Sequence, residues 1–190
     1  MSAIVLLSGG QDSATCLAIA KQHHQRIHCI CFDYNQRHRI EIDCSKTLAN
    51  LANATFQQVD VTFLEKLSTS AMIHQEKKIQ HEKNKLPSTF VPGRNALFLT
   101  IAAAIAYEMK INTIYTGVCQ TDYSGYPDCR ADFIESQQAT INLAMASEIR
   151  IKAPLMNCTK SQTVKIMDDL GKLFWYEHTH TCYEGQRPAC

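Results

Sequence analysis

Residues 3–20 read AIVLLSGGQDSATCLAIA, and this stretch decides the fold of the chain. It joins a short apolar run, typical of a buried strand, to a stretch with helical periodicity. The turn between them, SGGQDS at residues 8–13, points its backbone N–H groups outward at a helix N-terminus. The turn is a candidate phosphate site, because the helix dipole favours negative charge and glycine adopts positive φ without a Cβ clash.

Two common nucleotide-binding patterns are missing from this turn. It has no lysine followed by serine or threonine, which excludes a Walker-type NTPase, and no G-x-G-x-x-G, which disfavours a dinucleotide-binding fold. A glycine pair between a strand and a helix is also compatible with a simple tight turn. Other segments of the sequence are therefore needed to distinguish a phosphate site from a structural turn.

Strand and helix patterns alternate along the rest of the chain. The sequence predicts strands over residues 3–7, 26–32, 55–61, 113–117 and 149–155. It predicts helices over residues 13–21, 40–51, 94–108, 130–146 and 159–170, the last of them ended by Gly171. This βαβ rhythm indicates an α/β protein with a Rossmann-like open parallel sheet and helices on both faces.

Composition sets the domain count and the compartment. The 190 residues are 45% hydrophobic and 19% charged, which suits one domain with a single core. The net charge of +1 excludes a globally basic protein that binds nucleic acid or anionic membranes. No apolar run reaches the roughly 18 residues of a membrane span. No basic leader precedes the first strand, so we expect a soluble cytoplasmic protein.

Nine cysteines, an odd number, indicate a reducing compartment rather than a disulfide framework. Cys16, Cys29, Cys31 and Cys44 lie in apolar segments, and we expect them to be buried as small hydrophobic side chains. We place the main domain at residues 1–175, with a polar, lysine-rich insertion at about 68–89. We expect this insertion to be an exposed excursion that is mobile or that orders on binding.

Two charged residues stand where an anion would bind. A carboxylate beside a phosphate is unfavourable unless a divalent cation lies between them, so Asp12 either faces Mg²⁺ or caps the helix. Arg94 begins a helix after Pro92 and Gly93 and can bind a phosphate or carboxylate with two hydrogen bonds, although a surface arginine at a helix start is the plainer alternative.

Five segments together resemble one family. They are SGGQDS at residues 8–13, FDYNQRH at 32–38, FVPGRNALFL at 90–99, TGVCQTDYSGYPDCR at 116–130 and APLMNCTKSQTV at 153–164. The first alone resembles the PP-loop ATP pyrophosphatases, which cut ATP between the α- and β-phosphates. The set of five is similar to the 7-cyano-7-deazaguanine synthases, and the resemblance covers almost the whole chain.

This resemblance implies an adenine nucleotide alpha hydrolase-like fold and a ligase that forms C–N bonds. The expected reaction converts 7-carboxy-7-deazaguanine and ammonia to 7-cyano-7-deazaguanine through adenylated intermediates, in queuosine biosynthesis. ATP and Mg²⁺ would take part, the partners would be small molecules rather than nucleic acid or membrane, and a homodimer is common in such folds. The alternatives are tRNA thiolation, ammonia-dependent amide synthesis, and a non-catalytic adenine-nucleotide sensor.

The resemblance also suggests site residues. The residues expected to bind ATP are Leu7, Ser8, Gly9, Gly10, Gln11, Asp12, Ser13, Ala14, Thr15, Cys16, Leu17 and Asp33. The residues expected to act in catalysis are Asp12, Ser13, Arg94 and Lys160. The residues expected to bind the deazapurine or its carboxylate are Arg37, His38, Asp122, Ser124, Tyr126, Asp128 and Arg130, each of which has a solvated charge or a turn as its plainer alternative.

The sequence departs from the family pattern in two places. Asn35 replaces a glycine of D-Y-G-Q-R-H, and asparagine tolerates left-handed φ, so we expect the turn to survive. The family ends in a four-cysteine zinc knuckle, of which Cys182 and Cys190 are present in a segment from residue 176 to 190 that looks incomplete. The alternative zinc set is His178 and His180 with the same two cysteines, and either set predicts a structural zinc ion.

Overall fold

A computed structural model describes residues 1–36, 38–74, 86–120 and 125–181. Five strands form one sheet in the order β3-β2-β1-β4-β5, and every pair of neighbours is parallel. The strands are β1 (Ser2–Leu6), β2 (Arg26–Asp33), β3 (Thr55–Asp60), β4 (Thr113–Tyr115) and β5 (Arg150–Lys152). The predicted open parallel sheet is confirmed, although β4 and β5 are shorter than predicted.

Five α-helices connect and cover the strands. They are α1 (Gln11–His23), α2 (Ile40–Leu51), α3 (Arg94–Glu108), α4 (Ala131–Met145) and α5 (Lys160–Asp169), with 3-10 turns at Thr62–Lys66, Pro127–Cys129 and Leu173–His178. Helix α1 begins two residues before its predicted start, because Gly10 is extended and serves as the N-cap. Thr159 caps α5 in a capping box with Gln162, and Gly171 follows the helix with φ of +64°. In the described part of the chain no helix is long and apolar enough to cross a membrane.

Alternate residues of β1 enter two different cores. Ile4 packs in a cluster that includes Leu99 of α3 and Ile141 of α4. Val5 packs in a cluster that includes Leu17 of α1 and Trp175 of the last turn. Because side chains of a strand point alternately to opposite faces, helices cover the sheet on both sides, as predicted. Cys16, Cys29, Cys31 and Cys44 are buried, also as predicted, and they form no disulfide with one another.

The insertion at residues 68–89 was expected to be exposed, but the parts of it that the structure describes are partly buried. Ser70, Ala71 and Ile73 are buried rather than exposed. The hydroxyl of Ser70 donates to the carbonyl of Ser88 at 3.1 Å, and the backbone N–H of Ala71 donates to the same carbonyl at 2.8 Å. The two ends of the insertion therefore bond to each other, and small serines satisfy their polar groups on the backbone where composition alone suggested a solvated loop. Residues 75–85 lie outside the described part.

Candidate functional site at the carboxyl edge of the sheet

The loop between β1 and α1 is closed by its own serine hydroxyls. The backbone N–H of Ser8 donates to Oγ of Ser13 at 3.2 Å, and that hydroxyl donates to the carbonyl of Gly10 at 2.9 Å. The Ser8 hydroxyl donates to the same Oγ at 3.2 Å. Ser13 is buried, so its hydroxyl fixes the shape of the loop from inside. The loop thereby holds the first N–H groups of α1 at the edge of the sheet.

Two glycines allow the backbone to approach closely at this loop. Gly9 has φ of +86°, and a Cβ placed there would lie 2.2 Å from the carbonyl oxygen of Glu41. A Cβ at Gly117, just after β4, would lie 3.1 Å from the backbone of Asp12. The loop is therefore wedged between the starts of two helices and the end of a neighbouring strand, with no room for a side chain.

Asp12 and Lys160 meet across the edge of the sheet. Each stands in the first turn of its helix, and Oδ2 of Asp12 lies 2.6 Å from Nζ of Lys160. Because Gly10 is the N-cap of α1 and no side chain caps it, the alternative in which Asp12 caps the helix is wrong. A quarter of the Asp12 side chain is exposed, against more than half of Lys160, so both charges can reach a bound anion or cation.

Asp33 ends β2 with its carboxylate already held by the protein. It forms an ion pair with Arg39 at 3.0 Å and accepts hydrogen bonds from Gln58 Nε2 at 3.0 Å and from the backbone N–H of Asn35 at 3.2 Å. Asn35 has φ of +59°, which confirms the expected left-handed turn. These contacts give Asp33 a role in shaping the turn after β2.

Arg94 lies on the other side of the edge, at the start of α3. Its Nη1 donates to the hydroxyl of Tyr34 at 3.4 Å, and its guanidinium carbon lies 5.6 Å from the centre of the Tyr34 ring. Burial lowers the pKa of Arg94, but Tyr34, Asp128 and Tyr126 raise it by more, so the guanidinium stays charged. The structure thus contains a largely buried cation of the kind that binds a carboxylate or phosphate.

The described residues of the predicted substrate loop lie around Arg94. Asp128 is buried and accepts the backbone N–H of Asn95 at 3.1 Å, so one carboxylate oxygen caps the start of α3. Tyr126 is buried, stacks on Phe90 with ring centres 5.6 Å apart and shares a hydrogen bond with Thr89. Arg130 is exposed and lines a shallow groove beside Phe90 and Asp128. Arg37, Asp122 and Ser124 lie outside the described residues.

A C-terminal brace, which sequence reasoning missed, holds the phosphate loop from behind. It runs from the turn Leu173–His178 to Thr181. The hydroxyls of Tyr176 and Thr15 share a hydrogen bond of 2.7 Å, and the backbone N–H of His180 donates to the carbonyl of Gly9 at 2.9 Å. His180 is buried, with its ring centre 5.5 Å from that of His38. The only signal in the sequence was the aromatic run LFWY at residues 173–176.

Besides the brace, the sequence analysis overlooked one residue, Glu41. It stands in the first turn of α2, three positions after the FDYNQRH segment, with its carbonyl against Gly9. Burial raises the pKa of Glu41 to about 7, and Arg94 lowers it only in part. A carboxyl group with this pKa beside a phosphate loop is a candidate acid or base.

No three His, Cys, Asp or Glu side chains within the described ranges are arranged so that they could hold a metal ion. Cys182 and Cys190, the predicted zinc ligands, lie outside those ranges, as does most of the segment from residue 176 to 190. The boundary predicted at residue 175 falls within the turn Leu173–His178.

Solved structures share this fold. A predicted subunit of tRNA methyltransferase from Methanocaldococcus jannaschii is 17% identical, with a TM-score of 0.56 over 88% of this chain and 74% of that one. A 4-thiouridine synthetase solved with RNA and ATP is 17% identical, with a TM-score of 0.58 over 96% of this chain and 43% of that one. An NH3-dependent NAD synthetase from Campylobacter jejuni is 13% identical, with a TM-score of 0.55 over 95% of this chain and 69% of that one. At these identities the likeness shows the fold alone.

The strand order reverses between β1 and β4, and the glycine loop lies at that switch point, where open α/β sheets bind their ligands. This arrangement defines the class: an α/β protein with a Rossmann-like open parallel sheet and a glycine loop at its switch point, the fold that these neighbours share. The sequence model described as queuosine biosynthesis protein QueC matches residues 2–190, and the chain belongs to that family.

Family membership settles the reaction. The family consists of ATP-dependent ligases that make 7-cyano-7-deazaguanine in queuosine biosynthesis, and the predicted family, enzyme class and function are confirmed. The match favours this reaction over the alternatives that the sequence left open, which were tRNA thiolation, ammonia-dependent amide synthesis and nucleotide sensing.

Proposed function

We propose that the two sides of this edge divide the substrates of the family reaction, with ATP on the loop at residues 8–13 and the carboxylate of 7-carboxy-7-deazaguanine facing Arg94. The observation that carries this division is the position of Glu41. Its carbonyl lies against Gly9 of the loop, while its carboxyl group interacts with Arg94. One residue therefore spans the distance between the phosphate loop and the buried cation.

The first step is an in-line attack of the substrate carboxylate on the α-phosphate of ATP. A bond forms between a carboxylate oxygen and the α-phosphorus, the bond to the bridging α,β oxygen breaks, and pyrophosphate leaves. The N–H groups of the loop and Lys160 stabilise the charge that moves onto pyrophosphate, and Arg94 orients the carboxylate. The protein supplies position and charge, as in other phosphoryl-transfer sites.

Ammonia then attacks the carbonyl carbon of the acyl adenylate, and AMP leaves to give the amide. A second ATP then adenylates the amide oxygen and releases pyrophosphate. The bond from carbon to that oxygen breaks as AMP leaves, and the nitrogen loses its two protons to solvent as the nitrile forms. Free ammonia is the proposed nitrogen source, and the NAD synthetase of similar fold is likewise described as NH3-dependent. No cysteine nucleophile is needed, and burial raises the pKa of the Cys31 thiol to about 11, which keeps it protonated.

Mg²⁺ and Zn²⁺ belong to this proposal as well. The Asp12 carboxylate is partly exposed beside the loop and fits Mg²⁺, which would shield the negative charge of the ATP phosphates. Cys182 and Cys190 are the proposed structural zinc ligands, within a segment from residue 176 that follows the domain of residues 1–175.

The other predicted residues keep their roles as proposals. ATP would also contact the residues that flank the loop, which are Leu7, Ser8, Gly9, Gly10, Gln11, Ser13, Ala14, Thr15, Cys16 and Leu17, together with Asp33 after β2. The deazapurine would lie near Arg37, His38, Asp122, Ser124, Tyr126, Asp128 and Arg130. The enzyme is proposed to act in the cytoplasm as a homodimer on these small molecules alone.

The test is an incubation of the purified protein with Mg-ATP, 7-carboxy-7-deazaguanine and ammonium, with nucleotides separated by chromatography and the deazapurine identified by mass. AMP, pyrophosphate and the nitrile are expected, and Asp12→Asn should remove nearly all turnover while the protein stays folded. Asp43→Asn is the matched control, since Asp43 is an exposed carboxylate in the first turn of α2. ADP in place of AMP, or a fully active Asp12→Asn variant, would overturn the proposed roles.

A further inference from the structure

The chemistry of the amide-forming step requires a proton acceptor. When ammonia adds to the carbonyl carbon of an acyl adenylate, the attacking nitrogen becomes positively charged and must lose a proton to give the amide. At neutral pH most of the dissolved ammonia is also protonated. A group beside the acyl carbon that takes a proton near pH 7 would therefore accelerate this step.

Most carboxylates near the edge of the sheet are already engaged. Asp12 binds Lys160, Asp33 binds Arg39 and Gln58, and Asp128 accepts the backbone N–H of Asn95. Glu41 differs: within residues 1–36, 38–74, 86–120 and 125–181, its carboxylate takes part in no hydrogen bond or ion pair. A half-buried carboxylate without such a contact is costly to maintain, which points to a role outside folding.

The backbone of Glu41 is fixed between the two halves of the site. Its N–H donates to the carbonyl of His38 at 3.1 Å, and its own carbonyl accepts the Ser45 hydroxyl at 3.0 Å and lies against Gly9. Arg94 of α3 and the Cys31 thiol of β2 lie close enough to interact electrostatically with its carboxyl group. A side chain on the first turn of a rigid helix can be positioned accurately for proton transfer.

Burial accounts for the basicity of this group. It raises the pKa of the Glu41 carboxyl group to about 7, and the positive charge of Arg94 opposes that rise only in part. A carboxylate with this pKa is a much better proton acceptor than an ordinary exposed glutamate, yet it is still substantially ionised at neutral pH.

We infer that Glu41 is the general base of the ammonia-dependent step, an assignment that rests on the proposed function. The nitrogen of ammonia forms a bond to the carbonyl carbon, and the bond from that carbon to the AMP oxygen breaks with its electron pair. One proton of the attacking nitrogen passes to the Glu41 carboxylate, which later releases it to solvent. Atoms and charge balance without any further reactant, because the products are the amide, AMP and one proton.

The test separates adenylation from amide formation in Glu41→Gln. Adenylation is followed by exchange of labelled pyrophosphate into ATP, with 7-carboxy-7-deazaguanine present and ammonium left out. Amide formation is followed as kcat/KM for ammonium between pH 6 and 9. We expect exchange to stay within about twofold of wild type, which also shows that the variant is folded, while kcat/KM for ammonium falls by about 10²-fold, the scale of general base catalysis.

Two further results are expected. The wild-type profile should lose activity as the pH falls below about 7, because the Glu41 carboxylate becomes protonated, and Glu41→Gln should lack this limb. Hydroxylamine, which is largely unprotonated at neutral pH, should be used by Glu41→Gln with a much smaller defect than ammonium. Asp43→Asn, on the same helix, should behave as wild type in every assay.

Results that would overturn the role of Glu41 can be distinguished from results that would overturn the proposed function. Equal losses of exchange and amide formation in Glu41→Gln would overturn the assignment, because the residue would then act in ATP binding or folding. An unchanged kcat/KM for ammonium would overturn it as well. A wild-type enzyme that makes no nitrile and shows no exchange would overturn the proposed function itself, whereas normal wild-type turnover limits the failure to Glu41.

Discussion

The two faces of the sheet hold their polar side chains by different means. On the face covered by α1, α2 and α5, here called the nucleotide side, the loop is held by hydrogen bonds, including that from the backbone of His180 to Gly9. On the face covered by α3 and α4, the acceptor side, stacked aromatic rings add to the hydrogen bonds: Phe32 stacks on Phe98 with centres 4.1 Å apart, and Arg94 lies over Tyr34. The nucleotide side should therefore be sensitive to backbone changes, and the acceptor side to changes of charge and shape.

Gly9→Ala should have the largest effect, because it disturbs the backbone of the loop on the nucleotide side. The new Cβ would lie 2.2 Å from the Glu41 carbonyl oxygen, at φ of +86°. We expect a loss of about 3 kcal/mol of unfolding free energy and almost no AMP formation. Urea unfolding and the AMP assay measure the two losses.

Gly171→Ala is the matched control for that change. Gly171 has φ of +64°, and a Cβ there would meet no atom within 4 Å. It should lose only about 1 kcal/mol, the cost of the backbone strain alone, and keep its activity. If Gly9→Ala were no worse than Gly171→Ala, the close approach to Glu41 would have no energetic consequence.

Arg94→Lys should break the acceptor side while sparing the nucleotide side. Lysine keeps the charge but loses the planar pair of donors and the stacking over Tyr34. We expect KM for 7-carboxy-7-deazaguanine to rise about 10- to 100-fold, because this is the loss of affinity that corresponds to the free energy of one hydrogen bond to a charged group. KM for ATP should be unchanged. Steady-state kinetics with each substrate varied in turn, with Arg26→Lys as an exposed control, would show whether the two sides separate in this way.

The elements of the fold could be predicted because their signals are local. Apolar periodicity located every strand and α-helix to within a few residues, Gly171 ended α5, and Asn35 adopted the left-handed turn that its side chain allows. The glycine loop could be recognised for the same reason, since the two glycines and both serines that shape it lie within six consecutive residues.

The partners of the site residues could not be predicted, because they come from distant parts of the chain. Lys160 meets Asp12 across 148 positions, and Tyr176 meets Thr15 across 161. Glu41 acquires its unusual pKa from burial, which is a property of the folded chain rather than of the neighbouring residues. The buried ends of the insertion were misjudged because composition does not show that serine hydroxyls can be satisfied by backbone carbonyls.

Tyr176→Phe tests the brace and should have a smaller effect. The substitution keeps the ring and removes the hydroxyl that bonds to Thr15 at 2.7 Å. Because one hydrogen bond contributes about 0.5–1.5 kcal/mol, KM for ATP should rise about two- to tenfold with kcat and the other KM unchanged. Tyr107→Phe, on an exposed ring of α3, is the control. Equal rises in both KM values would show a general loss of structure instead of a role in holding the loop.

The smallest effect concerns a buried histidine on the nucleotide side. His24 shares a hydrogen bond of 3.3 Å with the Tyr115 hydroxyl through Nε2, while its Nδ1 has no hydrogen-bond partner in the part of the chain that the structure describes. Burial lowers the pKa of His24, and Lys152 and His23 lower it further. The unfolded chain then binds the proton more readily, so stability should fall as the pH drops below the ordinary histidine value of about 6.5. Urea unfolding at pH values from 7 to 5 gives the free energy of unfolding of each protein. In His24→Gln this free energy should fall less steeply with decreasing pH than in wild type, and the two slopes should differ by at most the value for one proton, about 1.4 kcal/mol per pH unit. The exposed control Gln25→Ala removes no titratable group and should keep the wild-type slope. An equal slope in all three proteins would mean that the buried polar groups of this face do not make it sensitive to acid.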